Sequence, residues 1–169
     1  MAQPFGEADD NSSTGTTPVL VHNIDCGPAL KAAISVPGLS SLWTDSNRLT
    51  IEAALGGNLV KGYPYIDIWD AETATATSVK SIKLRADSHR LPNSYVTSTG
   101  KRYVNDMVNF RRNGTPRSDP ALSPDMVKNY VLRLAFPDGA TADQLVALQK
   151  VVGYGAQNGI TVFLHPIIG

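Results

Sequence analysis

Four residues in the first half of the chain have types and spacing that can do chemistry: Glu52, Asp67, Ser78 and Lys80. Asp67 lies in the alternating run YPYIDIWD, residues 63–70, and Ser78 and Lys80 follow it by eleven and thirteen residues in TATSVKSIKL, residues 75–84. Two such runs joined by a short turn predict a hairpin, which sets Asp67 beside Ser78 and Lys80. Glu52, from a preceding helix, can bring a second carboxylate to the same point. A pair of carboxylates is a hard-oxygen site for Mg²⁺ or a similar divalent cation. A lysine beside it can orient an attacking water and offset the charge of a pentavalent phosphate. Alternation places Lys80 on one face with Ser78, Ile82 and Leu84, where a lysine is rare unless something pairs with it. The waiting acids explain it. The alternatives are structural: a cross-strand salt bridge for Asp67 and Lys80, and a solvated helix position for Glu52.

The elements that must position these residues follow from periodicity and punctuation. Residues 1–18 are polar and rich in Gly, Ser and Thr, and read as a flexible tail. Val19 to Val21 extend briefly, and Gly27-Pro28 opens a short helix through Ala33 that Pro37-Gly38 stops. Asp45 or Ser46 caps a helix over NRLTIEAAL, with Gly56-Gly57 as its stop. Strands over 63–70 and 75–85 are joined by a turn at 71–74. A helix over 94–112, a loop GTPRSDPALSP and a strand from Tyr130 to Phe136 come next. Thr141 with Gln144 makes a capping box for a helix to about Ala156, and ITVFLHPII closes the chain as a strand. The order α-β-β-α-β-α-β predicts an α/β fold with a mixed central sheet flanked by helices, its last two strands joined by a right-handed crossover. The lead-in over 19–45 and the core over 46–169 form one domain.

Composition bounds the rest. With 42% hydrophobic and 18% charged residues, the 169-residue chain can bury a substantial core. No apolar run reaches the roughly 18 residues that span a bilayer, and the N-terminus lacks a signal-peptide pattern. Cys26 is the only cysteine, which excludes an internal disulfide and a cysteine-rich zinc site. His22, His89 and His165 are scattered without a zinc-binding spacing. Net charge is zero but polarised: residues 1–72 hold three basic and nine acidic residues, a net of −6, and residues 73–169 twelve and six, a net of +6. The basic half suggests a polyanion-facing surface. Lys83, Lys101, Arg102, Arg111 and Arg112 are its expected phosphate contacts, although Arg111 and Arg112 also suit the end of a helix dipole. Trp43 and Trp69 read as packing residues, and Gly56-Gly57-Asn58 as a helix stop.

The pattern of Asp67 followed by Ser78-Val79-Lys80, with Glu52 as the helical acid before it, resembles that of PD-(D/E)XK nucleases. More narrowly, Glu52-Ala-Ala-Leu-Gly-Gly-Asn58, Tyr65-Ile-Asp67 and Ala76-Thr-Ser-Val-Lys-Ser-Ile-Lys-Leu84 resemble the C-terminal nuclease toxins of contact-dependent growth-inhibition systems, over roughly residues 46–168. The resemblance implies a restriction-endonuclease-like core and a metal-dependent ribonuclease cutting tRNA, with DNA as the nearest alternative substrate. A nonenzymatic nucleic-acid- or protein-binding module is the rival class. It further implies catalytic Glu52, Asp67, Ser78 and Lys80, a divalent ion such as Mg²⁺ on Glu52 and Asp67, and a cognate immunity protein as partner. Such a domain is exported as the C-terminal part of a large exoprotein, acts in the target cell's cytoplasm, and is a monomer outside its immunity complex with no stable membrane association. The sequence departs from the family at Ser78, where an acid is usual. Asp70 or Glu72 is then expected to compensate, or the site to hold a single ion.

Overall fold

The computed structural model describes residues 29–37, 39, 47–61, 63–86, 89–114 and 121–169. The tail, Cys26, His22, Trp43 and the capping residues Asp45 and Ser46 therefore lie outside the described residues. In chain order the elements are β1 (Ile34–Ser35), α1 (Asn47–Ala54), β2 (Ile68–Asp70), β3 (Thr75–Ser81), β4 (Arg85–Ala86), β5 (His89–Arg90), α2 (Asn93–Asn113), β6 (Asn129–Pro137), α3 (Ala142–Gln157) and β7 (Thr161–Ile168), with a 3₁₀ turn at Pro124–Met126 before β6.

One five-stranded sheet organises the domain, in the order β1-β7-β6-β3-β2. β2 runs antiparallel to β3, whereas β3, β6, β7 and β1 are mutually parallel. β4 and β5 make a separate two-stranded ribbon. Parallel strands need cover on both faces, and the side chains divide accordingly. Leu132, Leu134, Val162 and Leu164 join Val96, Val104, Met107, Leu145, Leu148 and Val151 in the larger cluster beneath α2 and α3. Val79, Ala135 and Ile167 form a smaller cluster with Ile51 and Leu55 of the α1 segment.

The helices start and stop for local reasons. Thr141 Oγ1 accepts from Gln144 N while Gln144 returns a side-chain bond to Thr141 N, the reciprocal cap expected from sequence. α2 follows Pro92 without a side-chain cap and ends at Gly114, whose φ is 61°. The two helices pack together at Gly100: a Cβ there would overlap Val151 Cγ2. Only glycine permits that approach.

Three expectations are corrected. Residues 30–35 are not helical: Leu30 bridges Leu164, Lys31 N donates to Leu164 O at 2.9 Å, and β1 pairs with β7. Completing the sheet edge overrides the local Gly-Pro start signal. The strand over 63–70 shrinks to Ile68–Asp70, because Tyr65 has φ 65° and Ile66 N bonds to Pro64 O at 2.8 Å, a tight turn incompatible with a pleated strand. The strand over 75–85 ends at Ser81, and the chain leaves the sheet for the β4–β5 ribbon, which periodicity did not announce.

Candidate active site

The tight turn at Tyr65 builds the site. It buries Ile66 completely and turns Asp67 inward just as β2 begins. Asp67 N still donates to Thr77 O at 2.9 Å, but the next acceptor along β3 is the Asp67 side chain: Oδ2 accepts from Val79 N at 2.6 Å. The carboxylate thus continues the β2–β3 ladder where the backbone has peeled away. Ser78 Oγ reaches the same oxygen at 3.5 Å, and Lys80 Nζ stands 3.8 Å from it. Asp67 and Ser78 are buried, whereas Lys80 keeps 15% of its side chain exposed. A charge-assisted bond from a backbone amide anchors the acid, and the looser lysine contact leaves the ammonium free to engage something else.

Glu52 comes from α1, whose Ile51 and Leu55 pack with Val79. Its carboxyl is raised above the ordinary carboxylate range by partial burial first and by the Asp67 charge second, with Arg48 and then Lys80 opposing. Glu52 therefore lies in the field of both Asp67 and Lys80, while Asp67, Ser78 and Lys80 contact one another directly on the β2–β3 hairpin at the sheet's edge. The i, i+4 spacing of Arg48 and Glu52 on a helix was a readable sign that this cation would accompany the acid. The Val79 amide carried no such sign, because main-chain donors are invisible to residue type.

Asp70 does not compensate for Ser78. Its Oδ1 accepts from Glu72 N and Thr73 N and its Oδ2 from Thr73 Oγ1, bonds that hold its carboxyl below the usual range at the far turn of the hairpin. Glu72 lies exposed in that same turn. Among the described residues no three of His, Cys, Asp and Glu converge as metal ligands. The candidate side-chain donors for a cation are thus Glu52 and Asp67. Two hard-oxygen carboxylates, the Asp67 charge helping to raise the Glu52 carboxyl, fit a divalent ion, and so small a set suits one that retains several waters, as Mg²⁺ does.

The basic residues separate. Lys83 and Arg112 are exposed, Arg102 lies 5.3 Å over the Tyr103 ring, and Lys101 is 5.1 Å over Tyr154. Tyr103 Oη also donates to Ser81 O at 3.2 Å, so this part of α2 adjoins the end of β3. Arg111 has an architectural job: Nη1 donates to Asn158 O at 2.7 Å beyond α3, and the guanidinium faces Tyr130. Trp69 packs against the main cluster, as expected. A histidine the site does not use, His165, is buried, with neither ring nitrogen bonded among the described residues.

A mixed sheet flanked by helices, with the acid-bearing hairpin at its edge, is the architecture of the restriction-endonuclease-like class of α/β domain. The family described as CDI toxin restriction endonuclease-like domain matches residues 48–165, and the chain belongs to it. Deoxyribonuclease CdiA-o11 of Escherichia coli O157:H7 (strain EC869) is 29% identical over 104 residues, which cover 62% of this chain and 27% of that protein. The chain thus spans about a quarter of that curated relative's length. The solved CdiA-CT/CdiI toxin and immunity complex from Yersinia pseudotuberculosis shares the fold at a TM-score of 0.58 and 22% identity, over 70% of this chain and 98% of that one.

Proposed function

We propose that this domain is a metal-dependent endonuclease toxin that hydrolyses phosphodiester bonds at Glu52, Asp67 and Lys80. The observation that carries this reading is Asp67, fixed by the Val79 amide and facing both Lys80 and the raised carboxyl of Glu52. A divalent ion held by Glu52 and Asp67 would supply Lewis acidity toward a phosphoryl oxygen. The chain's own residues do the positioning. The Val79 N–H fixes the Asp67 carboxylate, and Ser78 Oγ adds a weaker donor to it. Lys80 offers its ammonium to the developing negative charge and orients a water for in-line attack. Lys83, Lys101, Arg102 and Arg112 bind the polynucleotide backbone, with Arg111 a lesser contributor because its guanidinium holds the end of α3.

The resemblance makes tRNA the first substrate. DNA is the second reading, favoured by the relative named a deoxyribonuclease. The same resemblance supports delivery into a neighbouring cell as the C-terminal part of an exoprotein, with neutralisation by a cognate immunity protein. Among the described residues no helix is long and apolar enough to cross a membrane. The test is incubation with purified tRNA and with plasmid, each with Mg²⁺ or with chelator. Cleavage of tRNA that chelator abolishes is the expected result. Degraded plasmid beside intact tRNA moves the assignment to DNA, and survival of both with metal present refutes the nuclease reading.

A further inference from the structure

The segment after α1 does more than stop a helix. Gly57 N donates to Glu52 O at 2.9 Å. Asn58 N and Leu59 N both donate to Asp67 O, at 3.1 and 3.2 Å. The Asn58 side chain then lies along the outer edge of β2, with Nδ2 donating to Trp69 O and Oδ1 accepting from Trp69 N, each at 2.9 Å. A side-chain amide presents an N–H donor beside a C=O acceptor, as a peptide group does, so it can complete the strand edge as another strand would. Gly57 also stands against the acid itself. A Cβ at this position would come within 3.0 Å of Glu52 Cγ, 3.2 Å of Glu52 O and 3.4 Å of Oε1.

Residues 57–59 thus connect the carbonyl of one site acid to the carbonyl of the other. Besides the apolar packing of Ile51 and Leu55 on Val79, which is non-directional, they are the hydrogen-bonded tie between the helix and the hairpin among the described residues. α1 is only eight residues long, too short to be stable on its own. The site edge of β2 holds three residues. Arg133 gives the helix a second anchor, donating from Nη1 to Leu55 O at 2.7 Å, but it holds the helix to β6 and not to the hairpin.

We propose that Gly57 and Asn58 are positioning residues that set the Glu52–Asp67 spacing, and through it the affinity of the acid pair for a divalent cation. The inference rests on the nuclease reading for its catalytic consequence and on the hydrogen bonds alone for its geometric one. Partners that orient metal ligands commonly contribute 10–100-fold in metal affinity or activity.

The test compares Asn58→Ala and Gly57→Ala with Asn129→Ala, which removes a side-chain bond to Thr73 O at the opposite end of the same hairpin. Binding of Mg²⁺ alone is measured by calorimetry, tRNA and plasmid binding in chelator, and cleavage across a Mg²⁺ titration. Asn58→Ala and Gly57→Ala are expected to weaken Mg²⁺ binding by about tenfold or more and to lower kcat, with polynucleotide binding in chelator unchanged. Excess Mg²⁺ should recover part of the rate. Asn129→Ala should lose comparable thermal stability and keep wild-type Mg²⁺ affinity. If all three variants bind Mg²⁺ and cleave alike, the clasp is structural and the proposal is overturned. If the wild-type domain itself neither binds Mg²⁺ nor cleaves, the nuclease reading fails instead.

Discussion

The β6–α3–β7 unit and the α1–β2–β3 region are built to opposite rules. The first is saturated: seven register pairs join β6 to β7, the helix between them carries a reciprocal cap, and its inward residues are almost wholly buried. The second has an eight-residue helix, a three-residue strand, a positive-φ tyrosine and an acid standing in for a strand carbonyl. Backbone polar groups that regular structure would consume are left to hold side chains. The difference teaches where function can reside: strain and partial pairing gather where charges must be displayed, and the packed unit supplies the rigidity that tolerates them.

Substitutions at the two regions should therefore fail differently. The largest effect is expected at Lys80. Lys80→Ala should lower cleavage by about two decades or more, roughly 3 kcal/mol in the barrier, in a domain that still folds. The 3.8 Å pair it breaks is largely buried, so the variant should also lose about 1–3 kcal/mol of stability, limited because Asp67 keeps its bond from the Val79 amide. Unfolding in urea and single-turnover cleavage measured on one preparation separate the two quantities. A large fall in stability with unchanged rate would reverse the comparison.

Acid should weaken the packed unit. Burial, then the charges of Arg133 and Lys31, push the His165 imidazole down to about 4. The unfolded chain has the ordinary value near 6.5 and binds the proton more readily. The contribution is complete above about pH 6.5 and is lost as pH falls towards 4, about 3 kcal/mol in all. His165→Leu should flatten that part of the stability–pH curve, as denaturant titrations at successive pH values would show. An unchanged slope would mean that other groups set the acid limit.

Gly100→Ala should cost about 1–3 kcal/mol through the overlap with Val151, read as a lower melting temperature with Mg²⁺ affinity retained. Arg111→Ala, which gives up the Asn158 bond and the Tyr130 ring contact, should cost about 1–2 kcal/mol of stability. If its effect is confined to polynucleotide affinity, the guanidinium belongs to the binding surface after all. Lys83→Ala, fully outside β3, should change cleavage by no more than about threefold at physiological salt.

Legibility followed the same division. The capping box, β7 and the turn after β6 were readable because periodicity and capping chemistry there agree with the tertiary structure. The placing of Asp67 beside Ser78 and Lys80 was readable from residue type and hairpin spacing. What escaped was set by long-range pairing: β1 exists only because β7 offers an edge, and Tyr65 departs from strand geometry because Ile66 and Asp67 must both turn inward. The role of Asn58 was hidden for a further reason. Its partners are main-chain atoms of Trp69, eleven residues away, and no pattern of side chains reports them.

The pairing of Ile34 with Ile167 has a kinetic meaning. These partners are among the most widely separated in the chain, so joining them closes a loop of more than a hundred residues, and that entropy must be met before the contact repays it. Apart from the β2–β3 hairpin, the parallel pairings of this sheet are non-local in the same way, which slows folding relative to a hairpin-built domain of equal size. The two-residue strand at Ile34–Ser35 should therefore latch last. Hydrogen exchange during refolding would find the amide of Val36, which bonds to Ile168 O, protected after those of β6 and β7.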